Sequence, residues 1–464
     1  RMVAQAEHIP VHLGAMPEAV KAIMGRDPAP GDVFAINDPY SGGTHLPDIT
    51  LVSPIAYDEK IVGYAVTRAH HSDVGGMRPG SMPSDSTEIF QEGLIIPPVR
   101  LVRGGDYVAD VLDLLLANVR TPVLRRGDLR AQIAANNVAE ERIRELMDRR
   151  GKETILAAFD EVISYTEKRT REAIQQLPDG EHSAEDFLEG DGTTDEDIPI
   201  KATAKISGDQ ISIDFAGTSG AVRGNVNCPL SVTRSACYFA LRVLLPKDLP
   251  ANAGTYAPLC IETPEGSLLN ARPPSAVVAG NVETSNRIAD TVLAALAGFA
   301  PESIPAQGQG TMNNLIIGGS GDGGWTYYET IGGGQGASAT GPGPSGVHVG
   351  MSNTLNTPIE AFEMEYPMRV DRYELLYNSG GSGKHEGGNG IVRSVRVLQP
   401  ASLSLLTDRR RYQPRGSEGG EPGKVGCNLL NSEELPAKVS RELKAGDVVT
   451  VETPGGGGYG QPPV

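Results

Sequence analysis

Glycine is concentrated in particular places along this chain, and that limits what those places can fold into. Fourteen of the residues from Gly308 to Gly346 are glycine, with six more in Ser379–Gly390 and five in Gly455–Gly460. Segments so poor in side chains cannot build a core of their own. They read as tight turns and as backbone packed closely against backbone. No period of three runs through them, which excludes a collagen-like rod. With 39% of the 464 residues hydrophobic, enough apolar side chain remains for packed cores elsewhere.

Glycine-rich loops also cradle phosphates, but these segments lack the full motifs. Gly380-Gly381-Ser382-Gly383-Lys384-His385 approaches a phosphate loop, but Asn378 stands where the first glycine is required and His385 replaces the Ser or Thr. Gly332–Gly336 follows a strand-like run, Tyr327–Ile331, yet leads into Gly and Pro instead of opening a helix. No serine lies in a Gly-x-Ser-x-Gly elbow. The chain is therefore expected to bind no ATP itself.

Composition excludes other partners. Against 41 basic residues stand 58 acidic ones, net -17, which is unsuited to nucleic acid. The longest apolar stretches, near 111–119 and 291–300, are about ten residues, too short to span a bilayer. Cys228, Cys237, Cys260 and Cys427 show no metal or redox spacing and read as reduced thiols of a cytoplasmic protein. No signal peptide is visible, and the chain opens on Arg1 in mid-pattern, which predicts a preceding segment.

The pattern predicts an α+β fold, a β-rich arrangement of several subdomains with a helical hairpin arm and Gly-rich loops. Residues 1–126 alternate strand-like runs with turns. Thr50–Ile55 and Ile61–Arg68 read as neighbouring strands around Tyr57–Lys60. Segment 127–179 carries two amphipathic helices, the first capped by Asp128 and ending near Gly151, the second stopped by Pro178. Segment 180–300 opens with a hairpin, Ile198–Ser207 and Gln210–Phe215, followed by helices near 231–245 and 283–299. Segment 301–464 reads as strands and loops.

Three of the eight histidines fall close together. His45 and Asp48 form a His-x-x-Asp pair on a loop stiffened by Pro47, with Gly42 and Gly43 before it. His70 and His71 end the next strand and point to opposite faces if it continues, so one of them completes the set. Two imidazoles and a carboxylate suit a divalent ion such as Zn, Mn or Fe, with positions left open for water or substrate. The alternative is ordinary hydrogen-bonded loop residues. Asp38, Asp73 and Glu92 are candidates for supporting carboxylates. His8 and His12 read as loop or packing histidines because Pro10 separates them. Asn225, Asn227, Asn252, Asn281 and Asn286 with Glu283 and Arg287 either line a polar pocket or cap turns. Arg409, Arg410 and Arg411 read as a solvated turn or interface patch.

Long motifs give these residues a context. Gly31–Phe34, Asn37–Tyr40, Gly42–Asp48, Arg68–Gly76, Gln91–Gly93 and Asn118–Arg120 resemble the hydantoinase B/oxoprolinase family, as do Asp214–Ser219, Pro264–Ser267, Gly280–Glu283, Ser379–Gly383 and Pro454–Gly460. The resemblance runs essentially end to end. It implies a two-component machine and a hetero-oligomer with two copies or more. A hydantoinase A-type partner would bind ATP and Mg and phosphorylate a cyclic amide or an enolised ketone. This chain would then hydrolyse or carboxylate the product. The metal site of the family's carboxylase members corresponds here to His45, Asp48 and, by best match, His70; Asp73, Glu92 and His71 are the expected catalytic groups beside it. An Arg-x-Asp-Phe-Ser-Cys-like stretch usual in the family is absent from this sequence. Since the chain is shorter than acetone carboxylase large subunits, the resemblance favours an amidohydrolase opening hydantoin, 5-oxoproline or a related lactam over a ketone carboxylase. A non-catalytic scaffold with a partner-facing helical pair is the third possibility.

Overall fold

Val33–Ile36 is apolar at every position because both faces of its sheet are covered. Phe34 and Ile36 share one cluster with Ala19 and Ile23 of the helix Met16–Met24. Val33 and Ala35, alternating to the other face, join Leu112 and Leu115 of the helix Ala109–Ala117 and Leu129. The computed structural model that shows this describes residues 1–6, 8–319 and 324–462. The sheet is antiparallel, in the order Lys60–His70, Asp48–Tyr57, Val33–Ile36, Val99–Arg103, Asp106–Tyr107.

Two long helices follow, Pro122–Arg150 and Lys152–Ile174. The first opens at Pro122 and not at Asp128, since proline suits the first helical turn, where its missing N–H costs nothing. Gln132 Nε2 donates to Ile49 O at 3.0 Å and Asn136 Nδ2 to Ser53 Oγ at 3.0 Å, which ties this helix to the sheet. Residues beyond Asn136 in this helix are mostly exposed.

A second sheet runs in the order Gly180–Glu189, Asp197–Ser207, Gln210–Asp214, Leu259–Glu262 and includes the expected hairpin. Its alternating Ile198, Ile200, Ala202, Ala204 and Ile206 pack in the largest core with the helices Leu230–Leu244 and Ser285–Leu296. Two further antiparallel sheets close on each other at the C-terminal end. Leu315, Ile317, Leu403 and Leu405 of one share a core with Val395, Val397, Val449 and Val451 of the other. The whole is the α+β, multi-sheet arrangement the sequence predicts. Among the described residues no helix is long and apolar enough to cross a membrane.

The glycine-rich segments meet one another. Gly334 N donates to Pro454 O at 2.9 Å, Gly388 N to Gln335 O at 2.8 Å and Gly456 N to Gly388 O at 2.9 Å. A Cβ at Gly334 would overlap Gly388 O and Gly456 N, so three loops approach at a distance that only glycine permits.

One expectation is corrected. Arg409 does not sit on a solvated turn; it is fully buried, and its Nη2 lies 3.0 Å from Asp186 Oδ2 and 2.8 Å from Asp290 Oδ2. Arg410 is partly buried on Asn428 and Asn313, and Arg411 alone is exposed. The covering carboxylates come from distant segments and neutralise a charge that burial would otherwise forbid.

Candidate metal centre

The loop before Asp48 is held from several sides. Asn37 Nδ2 donates to Leu46 O at 2.8 Å and Leu94 O at 2.9 Å, and Asn37 Oδ1 accepts from Ile96 N. Asp38 caps the short 3-10 turn Pro39–Ser41 through Tyr40 N and Ser41 Oγ. Gly42 follows at φ 109°, a left-handed conformation, and a Cβ at Gly43 would overlap Asn37 O. His45 leaves this tight loop three residues before Asp48, which begins the strand Asp48–Tyr57. Across the sheet Asp48 is the register partner of His70, the last residue of its strand. Pairing fixes the face: His70 turns toward Asp48, and His71 turns away to Gln132 Oε1 at 2.9 Å.

Three ligand-type atoms converge. His45 Nε2 lies 3.0 Å from Asp48 Oδ1, His70 Nδ1 lies 3.1 Å from the same oxygen, and the two imidazole nitrogens are 3.3 Å apart. Donors about 2.0–2.2 Å from one zinc-like ion stand roughly 3.0–3.5 Å from each other, so these spacings match one coordination sphere. Chemistry agrees with geometry. His45 Nδ1 lies 3.3 Å from Val278 O, which can only accept, so Nδ1 is committed to that carbonyl and Nε2 is the ring nitrogen facing the carboxylate.

Electrostatics favour the protonation forms that a metal ion would need here. Burial alone would raise the Asp48 carboxyl, but His45 and His12, with hydrogen bonds from His45 and His70, hold it well below the usual carboxylate range. Burial pushes His70 down and His12 down to about 4, against the pull of Asp48. Around the three residues, Thr44 Oγ1 donates to Asp48 Oδ2 at 2.7 Å and Asn281 Nδ2 to the same oxygen at 3.2 Å. Tyr328 lies against the His70 ring, centroids 4.6 Å apart. Several buried polar atoms here lack a partner: His12 Nδ1, His70 Nε2, Asn281 Oδ1, Glu283 Oε2 and Arg68 Nη1. Such atoms are rare in folded interiors and mark a place suited to a polar ligand.

A family model described as hydantoinase B/oxoprolinase matches residues 1–462. The chain belongs to the hydantoinase B/oxoprolinase family. It is 38% identical to 5-oxoprolinase 1 of Arabidopsis thaliana, over 99% of this chain and 38% of that protein. It is 36% identical to one subunit of a putative D-/L-hydantoinase of a Pseudomonas species, over 93% of this chain and 76% of that one. The chain thus spans well under half the length of the plant oxoprolinase. Its fold matches the crystal structure of ATP-dependent caprolactamase from Pseudomonas jessenii with a TM-score of 0.92 at 29% identity, covering 100% of this chain and 84% of the other. The nucleotide-free structure of acetone carboxylase shares the fold with a TM-score of 0.89 at 19% identity, covering 99% of this chain and 70% of the other.

Within this family member, His45, Asp48 and His70 are together, and the other expected site residues are engaged elsewhere. Asp73 is buried on Arg120, 2.9 Å from its Nη1, and accepts from Gly75 N and Gly80 N. Glu92, fully buried, accepts from Val277 N, Val278 N and Ser86 Oγ, and burial raises its carboxyl to about 8. Asn225 and Asn227 bind loop carbonyls, Asn252 caps a short helix and Asn286 holds Met351 N, so of these asparagines only Asn281 reaches Asp48. Arg287 lies in the buried network with Asp186 and Asp290.

His12 is the residue that sequence reasoning set aside. Its Nε2 is 3.7 Å from Asp48 Oδ2. Pro10 does not rule out a helical turn; it opens the 3-10 turn Pro10–His12, a position where proline is well tolerated. Tyr328 gave no signal, because only the strand pairing of a distant segment brings it to His70.

Proposed function

We propose that this chain is the hydrolytic subunit of an ATP-dependent enzyme that opens a cyclic amide of the hydantoin, 5-oxoproline or lactam class, acting with a hydantoinase A-type partner in a hetero-oligomer. The observation that carries this reading is the convergence of His45 Nε2, Asp48 Oδ1 and His70 Nδ1 within 3.3 Å in a buried, partner-poor polar setting. Family membership and the likeness to a caprolactamase support the reaction class. The incomplete phosphate-loop motifs support assigning ATP and Mg to the partner.

A ring amide is stabilised by resonance, and phosphorylation of its oxygen turns that oxygen into a leaving group. A divalent ion, Zn, Mn or Fe, held by His45, Asp48 and His70 would supply Lewis acidity toward the activated carbon and lower the pKa of a water. Asp48 supplies the negative charge of the set, and Thr44 and Asn281 fix its carboxylate. In this reading Glu92 and His71 support the site without touching the reacting atoms. Glu92 holds the backbone of Val278, whose carbonyl faces His45, and His71 holds Gln132, whose amide binds Ile49 O beside Asp48.

Turnover of candidate lactams with ATP and the partner subunit tests the proposal. Ring opening is expected without bicarbonate and is expected to be lost in His45→Ala. A strict need for bicarbonate would instead indicate the ketone-carboxylase alternative. A His45→Ala protein with full ATP-coupled activity would sink the site assignment.

A further inference from the structure

Histidines that ligate metals are normally held by a hydrogen bond from the second ring nitrogen. His45 has this in Val278 O. His70 lacks it, because its Nε2 is buried with no hydrogen-bond partner. What holds the His70 ring is an aromatic face, Tyr328, with centroids 4.6 Å apart and planes inclined by 36°.

Tyr328 is itself fixed by a chain of bonds that crosses the molecule. It lies on the strand Trp325–Glu329, where its neighbour Tyr327 turns into the C-terminal core and Tyr328 turns the opposite way. Its hydroxyl donates to Asn314 Oδ1 at 3.0 Å. Asn314 Nδ2 donates to Glu283 Oε1 at 2.8 Å and to Leu406 O at 2.7 Å. The amide orientation follows from these contacts, since both partners of Nδ2 are acceptors. Glu283 belongs to a π-helical turn, Gly280–Thr284, the same turn that brings Asn281 to Asp48. Such turns are rare and recur at functional sites.

We propose that Tyr328 is the positioning residue for His70, taking the place of the hydrogen bond its Nε2 lacks, and that the π-turn 280–284 steadies both ligands, Asp48 through Asn281 and His70 through Glu283, Asn314 and Tyr328. This rests on the reading of His45, Asp48 and His70 as a metal site. One five-residue turn would then set the spacing of a carboxylate and an imidazole that come from different strands.

The test is titration of the metal-free full-length chain with cobalt(II), read as affinity and as the visible absorption band, which reports ligand geometry. Loss of a supporting partner typically weakens metal binding by about 10–100-fold. Tyr328→Leu is expected to lose affinity in that range with an altered band, and Tyr328→Phe, which keeps the ring and loses the tether, to lose about 3-fold to 10-fold. Wild-type affinity and an unchanged band in Tyr328→Leu would overturn the proposal. If the leucine variant does not fold, an unchanged affinity and band in Tyr328→Phe overturns it alone. Wild-type protein that binds no cobalt would remove the metal reading and this inference together. Binding abolished by His45→Ala but untouched by the Tyr328 changes would remove this inference only.

Discussion

Asp48 and His70 face each other as register partners across two antiparallel strands, with His70 Nδ1 3.1 Å from Asp48 Oδ1. Sheet pairing, which is rigid, therefore sets one edge of the candidate metal centre, and the His45 loop supplies the other. Replacing Asp48 by Asn keeps the shape but removes the negative charge of the set. Under the proposed function, turnover of a candidate lactam is expected to fall about a thousand-fold, the order of effect that metal Lewis acidity supplies. Steady-state kinetics with the partner and ATP checks this, and a loss below about ten-fold would contradict it.

The glycine-rich loops are predicted to tolerate no side chain where they cross. Gly334→Ala would drive a methyl group into the backbone of Gly388 and Gly456, and is expected to cost about 3 kcal/mol or more. Gly341, whose Cβ would meet nothing within 4 Å, is the control; Gly341→Ala should change stability by about 0.5 kcal/mol or less. Urea unfolding measures both, and equal effects would refute the account of these loops.

Arg409→Ala removes one of the two buried cations shared by Asp186 and Asp290, 3.0 and 2.8 Å away in the native chain, and leaves them Arg287 alone at 3.3 and 3.4 Å. Breaking such a pair costs about 3–5 kcal/mol. The neighbouring exposed Arg411, paired with Asp197 at the surface, should cost about 1 kcal/mol or less when replaced by Ala. Comparable melting temperatures for the two variants would contradict the buried network.

Burial raises the Glu283 carboxyl to about 7, helped by the charge of Asp408 and opposed by the Thr311 hydroxyl, Lys438 and Met312 N. A carboxyl with a folded pKa above its unfolded value, about 4.3, holds its proton more tightly when folded. Its contribution is thus present below about pH 4.3 and is lost as pH rises through about 7. Unfolding experiments at several pH values should show wild type losing stability relative to Glu283→Gln across that window. Parallel profiles would exclude a raised Glu283.

Local pattern brought His45, Asp48 and His70 together as one cluster. His45 and Asp48 share one short loop whose glycines and proline constrain it, and His70 ends the strand that pairs with the next. Strand alternation also separated His70 from His71. The supporting residues were not legible, because Asn281, Asn314 and Tyr328 reach the site only through tertiary packing from far along the chain. His12 was passed over because Pro10 was read as a breaker, where it starts a turn. Arg409 looked solvated because a run of arginines reveals nothing of the carboxylates that cover it. The glycine clusters signalled close packing, but which loops meet is fixed by the sheets between them.

The most direct test of the metal-centre account is elemental analysis of purified wild-type chain beside a His45→Ala, Asp48→Asn double variant. The account predicts about one equivalent of a single divalent transition metal per wild-type chain and essentially none in the folded double variant. Wild-type chain without metal after purification and reloading, or a double variant that keeps its full equivalent, would contradict it.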